Sequence, residues 1–230
     1  MTSQLIVALD IDNKNEALDL VDTLDPLLCA LKIGSEMFTL WGPTFVKQLI
    51  NRGYKVFLDL KFHDIPHTVA RACKAGAELG VWMLNVHASG GLEMMQAVVN
   101  ALEPYGKDKP LLIGVTVLTS FNERSLLNTG ISKPLLDHVI DLAQLTKKAG
   151  LDGVVCSAYE VKKIKQLCGN KFIAVTPGIR LSSNLPDDQS RVMTPKQAVA
   201  EGSDYLVVGR PITRAANPLH CVREIIHDMS

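Results

Sequence analysis

The sequence predicts an α/β fold: one (β/α)8 barrel, the TIM-barrel architecture, in a single domain over residues 1–230. Three observations predict it. Short apolar or β-branched runs alternate with longer stretches of helical period. About eight such pairs occupy the 230 residues, which suits a compact barrel better than a doubly wound sheet. The strand runs are nearly continuous in apolar residues, as in a parallel sheet covered by helices.

The elements follow in order. Leu5 to Leu9 is the first strand, closed by Asp10, with a helix from about Asn15 to Leu24. Ala30 to Ile33 is the second, closed by Gly34; Phe45 to Asn51 is helical and stops at Gly53. Lys55 to Leu60 is the third, before a helix from about Pro66 to Leu79 that ends at Gly80. Met83 to His87 is the fourth, and Gly90-Gly91 opens a helix to about Leu102. Leu111 to Leu118 is the fifth and most apolar strand; its helix spans Leu135 to Ala149. Gly153 to Cys156 is the sixth, with a helix from about Tyr159 to Leu167. Phe172 to Val175 is the seventh, with a helix from about Pro195 to Glu201. Tyr205 to Val208 is the eighth, and the last helix runs from about Pro218 to His227. Two connections are long, Thr119 to Pro134 and Pro177 to Thr194. Both follow strands, so in a barrel both lie on the C-terminal face, where active sites sit.

Composition narrows the function. Hydrophobic residues make up 47%, and 24 basic residues balance 24 acidic ones, which argues against disorder and against a coat for nucleic acid. A small anionic ligand needs only a few local cations and stays open. No run approaches the roughly 18 apolar residues of a membrane span, and no basic n-region marks a signal peptide. Five scattered cysteines read as reduced thiols in a cytoplasmic protein, most of them core residues.

The informative charges sit at strand ends. Asp10 closes the first strand, Lys32 lies inside the second, Asp59 and Lys61 end the third, and Asp64 follows. Alternation puts Asp59 and Lys61 on the same side of their strand. Read alone, Asp59-Leu60-Lys61 is a solvated turn. Lys32, flanked by Leu31 and Ile33, needs a buried partner, and that favours a common cluster. A lysine among carboxylates stays protonated and can donate to a developing carbanion. A carboxylate beside a substrate carboxylate disfavours the ionised ground state, and the repulsion vanishes as neutral CO2 leaves. A second feature is an anion grip: Pro177-Gly178-Ile179-Arg180 after the seventh strand and Gly209-Arg210 after the eighth, the usual phosphate position in barrels.

Taken together, Ala8-Leu9-Asp10, Leu31-Lys32-Ile33-Gly34, Asp59-Leu60-Lys61-Phe62-His63-Asp64-Ile65-Pro66, Val86-His87-Ala88-Ser89-Gly90-Gly91, Leu118-Thr119-Ser120, Thr176-Pro177-Gly178-Ile179-Arg180 and Val207-Val208-Gly209-Arg210-Pro211-Ile212 resemble the orotidine 5′-monophosphate decarboxylase family over essentially the whole chain. The resemblance implies decarboxylation of orotidine 5′-monophosphate to UMP, with Lys61 protonating C6. It places Asp59 against the scissile carboxylate, with Lys32 and Asp64 completing the charge array. It implies a homodimer in which Asp64 and Thr68 reach the partner's site. Asp10 and Lys32 would contact the ribose side and Thr119 the base. Arg180, Gln189, Gly209 and Arg210 would hold the phosphate. It implies neither metal nor organic cofactor, and no nucleic-acid or membrane partner. His67 stands where many relatives have Asn, a departure that touches the dimer contact rather than the chemistry. The D-x-K-x-x-D core is shared with related Mg2+-dependent barrels that act on sugar phosphates, a keto-gulonate-phosphate decarboxylase and a hexulose-phosphate synthase among them. Phe62-His63, Ile65-Pro66 and the Arg180–Gln189 loop favour the nucleotide enzyme. A non-catalytic nucleotide-binding barrel would not need Asp59 beside a substrate carboxylate.

Overall fold

The computed structural model describes residues 4–180 and 193–229. Its eight described strands close into a parallel barrel in sequence order: β1 (Leu5–Ala8), β2 (Ala30–Gly34), β3 (Val56–Phe62), β4 (Met83–His87), β5 (Leu111–Val115), β6 (Gly153–Val155), β7 (Ile173–Thr176) and β8 (Tyr205–Val208), with β8 pairing back onto β1. The helices that return the chain are α1 (Lys14–Thr23), α2 (Ser35–Asn51), α3 (Pro66–Glu78), α4 (Gly91–Leu102), α5 (Glu123–Asn128), α6 (Leu135–Ala149), α7 (Ala158–Cys168), α8 (Pro195–Ala200), α9 (Arg210–Thr213) and α10 (Pro218–Asp228).

Period-two alternation divides each strand between two apolar layers. Ile6, Ala8, Ala30, Phe57, Met83, Ile113, Val175 and Val207 point inward and fill the barrel. The alternate residues, Leu5, Val7, Leu31, Leu58, Leu84 and Leu206 among them, pack outward against the helices. Trp82 and Tyr205 meet edge to face at 5.2 Å and pack against the inner layer, so Trp82 is a packing residue. Beside β5 the fit is close: a Cβ on Gly114 would lie 2.6 Å from the Thr146 side chain of α6.

Local chemistry sets the helix ends. Asn13 caps α1 by accepting from the Asn15 and Glu16 N–H groups, and Thr194 and Gln197 form a capping box on α8. Gly150 ends α6 at φ 90°, a left-handed terminus. Several elements differ from the sequence expectation; β3 runs on to Phe62 and a short α9 follows β8 unannounced. Helix α2 begins at Ser35, ten residues early, because Gly42 takes a non-helical φ of 59° and Pro43 restarts the helix beyond it. Strand β5 stops at Val115, although apolar residues continue to Leu118, because the chain leaves the barrel for the C-terminal face. The long connection after it contains α5, capped by Asn122. Among the described residues, no helix is long and apolar enough to cross a membrane. All five cysteines are buried and outside any disulfide, and burial pushes the Cys29 and Cys73 thiols up to about 12.

Candidate active site

The C-terminal ends of the strands open into a cavity of about 840 Å3. Asp10, Lys32, Asp59, Lys61, Thr119, Arg180, Gly209 and Arg210 all line it. They come from β1, β2, β3 and the loops after β5, β7 and β8, so only barrel closure brings them together. The walls between them are the inward apolar residues Ala8, Phe57, Val115, Val155, Val175 and Val207.

A charge array occupies one side. Lys32 Nζ lies 3.2 Å from Asp10 Oδ1 and 3.3 Å from Asp59 Oδ2. Lys61 Nζ donates to the other Asp59 oxygen at 2.7 Å. Asp59 thus takes one lysine on each oxygen. The Lys32 and Asp59 side chains are only 11% and 10% exposed, so neither charge could persist alone. Burial by itself would lower the Lys32 pKa; Asp59 and Asp10 outweigh it and hold Lys32 above the usual lysine value. Burial by itself would raise the Asp59 pKa; Lys32, Lys61 and a hydrogen bond from Asn85 outweigh it and hold Asp59 below the usual carboxylate value. Lys32 and Asp59 are therefore both ionised at neutral pH.

The backbone is distorted where the array is built. Among the described residues, Asp10 (φ 39°) and Lys61 (φ 50°) are the non-glycine residues with positive φ. In β3, Leu58 pairs with Leu84 but Phe62 pairs with Val86, so two extra residues bulge between them. The sequence expected simple alternation to put Asp59 and Lys61 on one side. Their side chains do meet in the cavity, but Lys61 reaches it from a left-handed residue inside a bulge.

Sequence reasoning missed Asn85. It is fully buried in β4, its Nδ2 donates to Asp59 Oδ1 at 2.6 Å, and its Oδ1 accepts from the Lys61 N–H at 2.8 Å. The signal was present: Asn85 shares the inward parity of Met83, where an apolar residue is the norm. Nearby, His63 and His87 place their rings 5.5 Å apart. Burial first, then His63 and Lys61, hold His87 below the usual histidine value, with Asp59 opposing.

Arg180 and Arg210 line the same cavity from the ends of β7 and β8. The Arg180 N–H donates to the Met193 carbonyl and the Met193 N–H to the Gly178 carbonyl, so Gly178–Arg180 and Met193 lie side by side just beyond β7. Gln189 lies outside the described residues. Asp64 and Thr68 do not line the cavity of their own chain. Both are exposed at the start of α3, and Asp64 accepts from the Ile65 N–H at 2.6 Å. Among the described residues, no group of three or more His, Cys, Asp or Glu is placed to hold a metal ion.

A lysine–aspartate–lysine array sharing one cavity with two arginines agrees with the comparisons. Residues 3–225 match the model of the orotidine 5′-phosphate decarboxylase / HUMPS family. The chain belongs to this family. It is 65% identical to orotidine 5′-phosphate decarboxylase of Legionella pneumophila (strain Corby) over 229 residues, 100% of both chains. It is 61% identical to orotidine 5′-phosphate decarboxylase of Vibrio cholerae serotype O1 (strain M66-2) over 222 residues, 96% of each. The crystal structure of orotidine 5′-phosphate decarboxylase from Lactobacillus acidophilus superposes with a TM-score of 0.88 at 40% identity, covering 99% of each chain. Both of these relatives and the solved structure bear the name of the decarboxylase.

Proposed function

We propose that this chain decarboxylates orotidine 5′-monophosphate to UMP and CO2, the last step of de novo pyrimidine nucleotide synthesis. The observation that carries the reading is Asp59 bridging Lys32 and Lys61 inside a cavity that Arg180 and Arg210 also line.

The phosphate sits against Arg180, Gly209 and Arg210, with Gln189 of the same loop, where charge-assisted hydrogen bonds hold it. Asp10 and Lys32 face the ribose and Thr119 the base. This orientation puts the C6 carboxylate against Asp59, which stays ionised because a lysine occupies each oxygen. The C6–carboxylate bond breaks, its electron pair remains on C6, and neutral CO2 leaves. The Lys61 ammonium beside Asp59 then gives a proton to C6; the N–H bond breaks, a C6–H bond forms, and the neutral amine recovers a proton from solvent. The chemistry asks only for cations and a proton, which lysine supplies without a metal or organic cofactor.

The reading includes a cytoplasmic homodimer in which Asp64 and Thr68 cross into the partner's cavity. Two observations support the crossing: both residues lie outside their own chain's cavity, and Ile65 between them is 67% exposed.

Product identity tests the function. Incubation with orotidine 5′-monophosphate yields UMP and CO2 in equal amounts, whereas 3-keto-gulonate 6-phosphate with Mg2+ yields no CO2. The reverse pattern would assign the chain to the sugar-phosphate branch. A second experiment tests the phosphate grip. Arg210→Ala lowers kcat/KM for the nucleotide by about 10²-fold, the scale of a lost charge-assisted contact. The same variant changes kcat/KM little for orotidine, which lacks the phosphate. Equal losses with both substrates would remove Arg210 from the grip. Binding energy taken from a remote phosphate is realised at the reacting carbon, so the loss appears in kcat as well as KM.

A further inference from the structure

We propose that Asn85 is a positioning residue that clamps the Asp59 carboxylate and the Lys61 backbone into one rigid unit. The inference rests on the reading of Asp59 and Lys61 above and goes beyond it.

The bulge in β3 creates the need. Between Leu58 and Phe62, strand β3 advances four residues while β4 advances two, so the ladder loses its register where the reactive groups stand. The Asn85 side chain takes the place of the lost backbone pairing. Its Oδ1 accepts from the Lys61 N–H at 2.8 Å, and its Nδ2 donates to Asp59 Oδ1 at 2.6 Å. The two bonds fix the amide orientation, because only the oxygen can accept and only the nitrogen can donate. They also hold Lys61 at φ 50°, a conformation that persists only when its surroundings impose it.

A packing role does not account for an amide here. Asn85 is 0% exposed and shares the barrel interior with Met83 and Ile113. A leucine would fill such a position without burying polar atoms, which cost free energy unless bonded. Both Asn85 contacts go to Asp59 and Lys61, and Asp59 Oδ1 receives Asn85 and Lys61 together. A shift of Asp59 therefore carries the lysine ammonium with it, and misplacement of about 1 Å is enough to cost about 10²-fold in rate.

The test compares Asn85→Ala and Asn85→Asp with the parent full-length chain. It measures kcat and KM for orotidine 5′-monophosphate across pH, with thermal unfolding alongside. The charged and titratable groups around Asp59 are Lys32 of β2, Lys61 of its own strand and His87 of β4, with Asp10 beyond Lys32. The alanine variant loses a donor that favours ionised Asp59, so its acid limb moves to higher pH and kcat falls by about 10²-fold with KM little changed. The aspartate variant has the opposite sign. It puts two carboxylates in contact, and they titrate as a pair with one proton held to raised pH. The singly protonated pair carries the parent's charge, so activity is highest at low pH and falls as pH rises through that step. Should the alanine variant fail to fold, the near-isosteric aspartate variant decides alone. Variants that melt earlier yet keep the parent's kcat and pH profile would overturn the proposal and leave Asn85 a structural residue. A parent that does not decarboxylate orotidine 5′-monophosphate would overturn this inference and the functional reading together.

Discussion

Lys61→Ala lowers kcat for orotidine 5′-monophosphate by about 10⁴-fold or more, at the upper end of what a positioned proton donor contributes. Among the described residues, no other ammonium is poised to replace it. Lys32 is the next ammonium, but it is engaged by Asp10 and by the far oxygen of Asp59. Affinity for UMP falls far less, because the phosphate contacts proposed for Arg180 and Arg210 do not involve Lys61. Single-turnover rates and equilibrium binding of UMP check the two halves of the prediction. Near-normal turnover would remove Lys61 from the donor role. Loss of binding equal to the loss of rate would make it a binding residue instead. The Lys61 side chain is about one-third exposed, so its removal costs little stability, and lost activity cannot be ascribed to unfolding.

Asp59→Asn has the second largest expected effect, and it divides between activity and stability. The substitution keeps shape but leaves Lys32 buried with Asp10 as its one remaining carboxylate and Lys61 without its partner. Breaking a buried ion pair from one side costs about 3 kcal/mol when another counter-charge remains, measurable by urea unfolding at neutral pH. The rate falls by about 10³-fold, because the carboxylate no longer opposes the substrate carboxylate or orients the donor. The pH dependence follows from the two shifts. The Asp59 pKa is depressed in the folded protein, so its contribution is present above the usual carboxylate value and lost as pH falls through the lower folded value. The Lys32 pKa is raised, so its contribution is present below the usual lysine value and lost as pH rises through the higher folded value. Parent stability is therefore flat with respect to this cluster across the neutral range, and the variant lies below it by a constant amount. Unchanged stability and turnover in Asp59→Asn would dissolve the array as a functional unit.

Much of the fold was legible because each strand run is short, apolar and bounded by a helix stop. The same physics set the strand ends that matter: Asp10, Lys32, Asp59 and Lys61 were visible as charges in segments that otherwise read as buried. What was not legible depends on register between strands distant in sequence. The bulge in β3 has no local signature, since Asp59-Leu60-Lys61 alternates normally and only pairing with β4 exposes the two extra residues. Asn85 left one local sign, its inward parity with Met83, but a neutral amide carries no charge, and its role shows only once its partners 24 and 26 residues away are placed. Helix α5 hid in a loop because its six residues are too few to establish a period. The start of α2 was misplaced because Gly42-Pro43 reads as a helix boundary, whereas it marks a kink between two helical segments.

In the proposed reaction lysines and an aspartate, without a metal, carry out the decarboxylation. The most direct measurement follows the loss of orotidylate absorbance in excess EDTA for the parent chain and Lys61→Ala side by side. The parent is expected to turn over fully, unaffected by EDTA or added Mg2+, and the variant to show no measurable turnover. A parent that is inactive without Mg2+, or a variant that matches it, would contradict this mechanism.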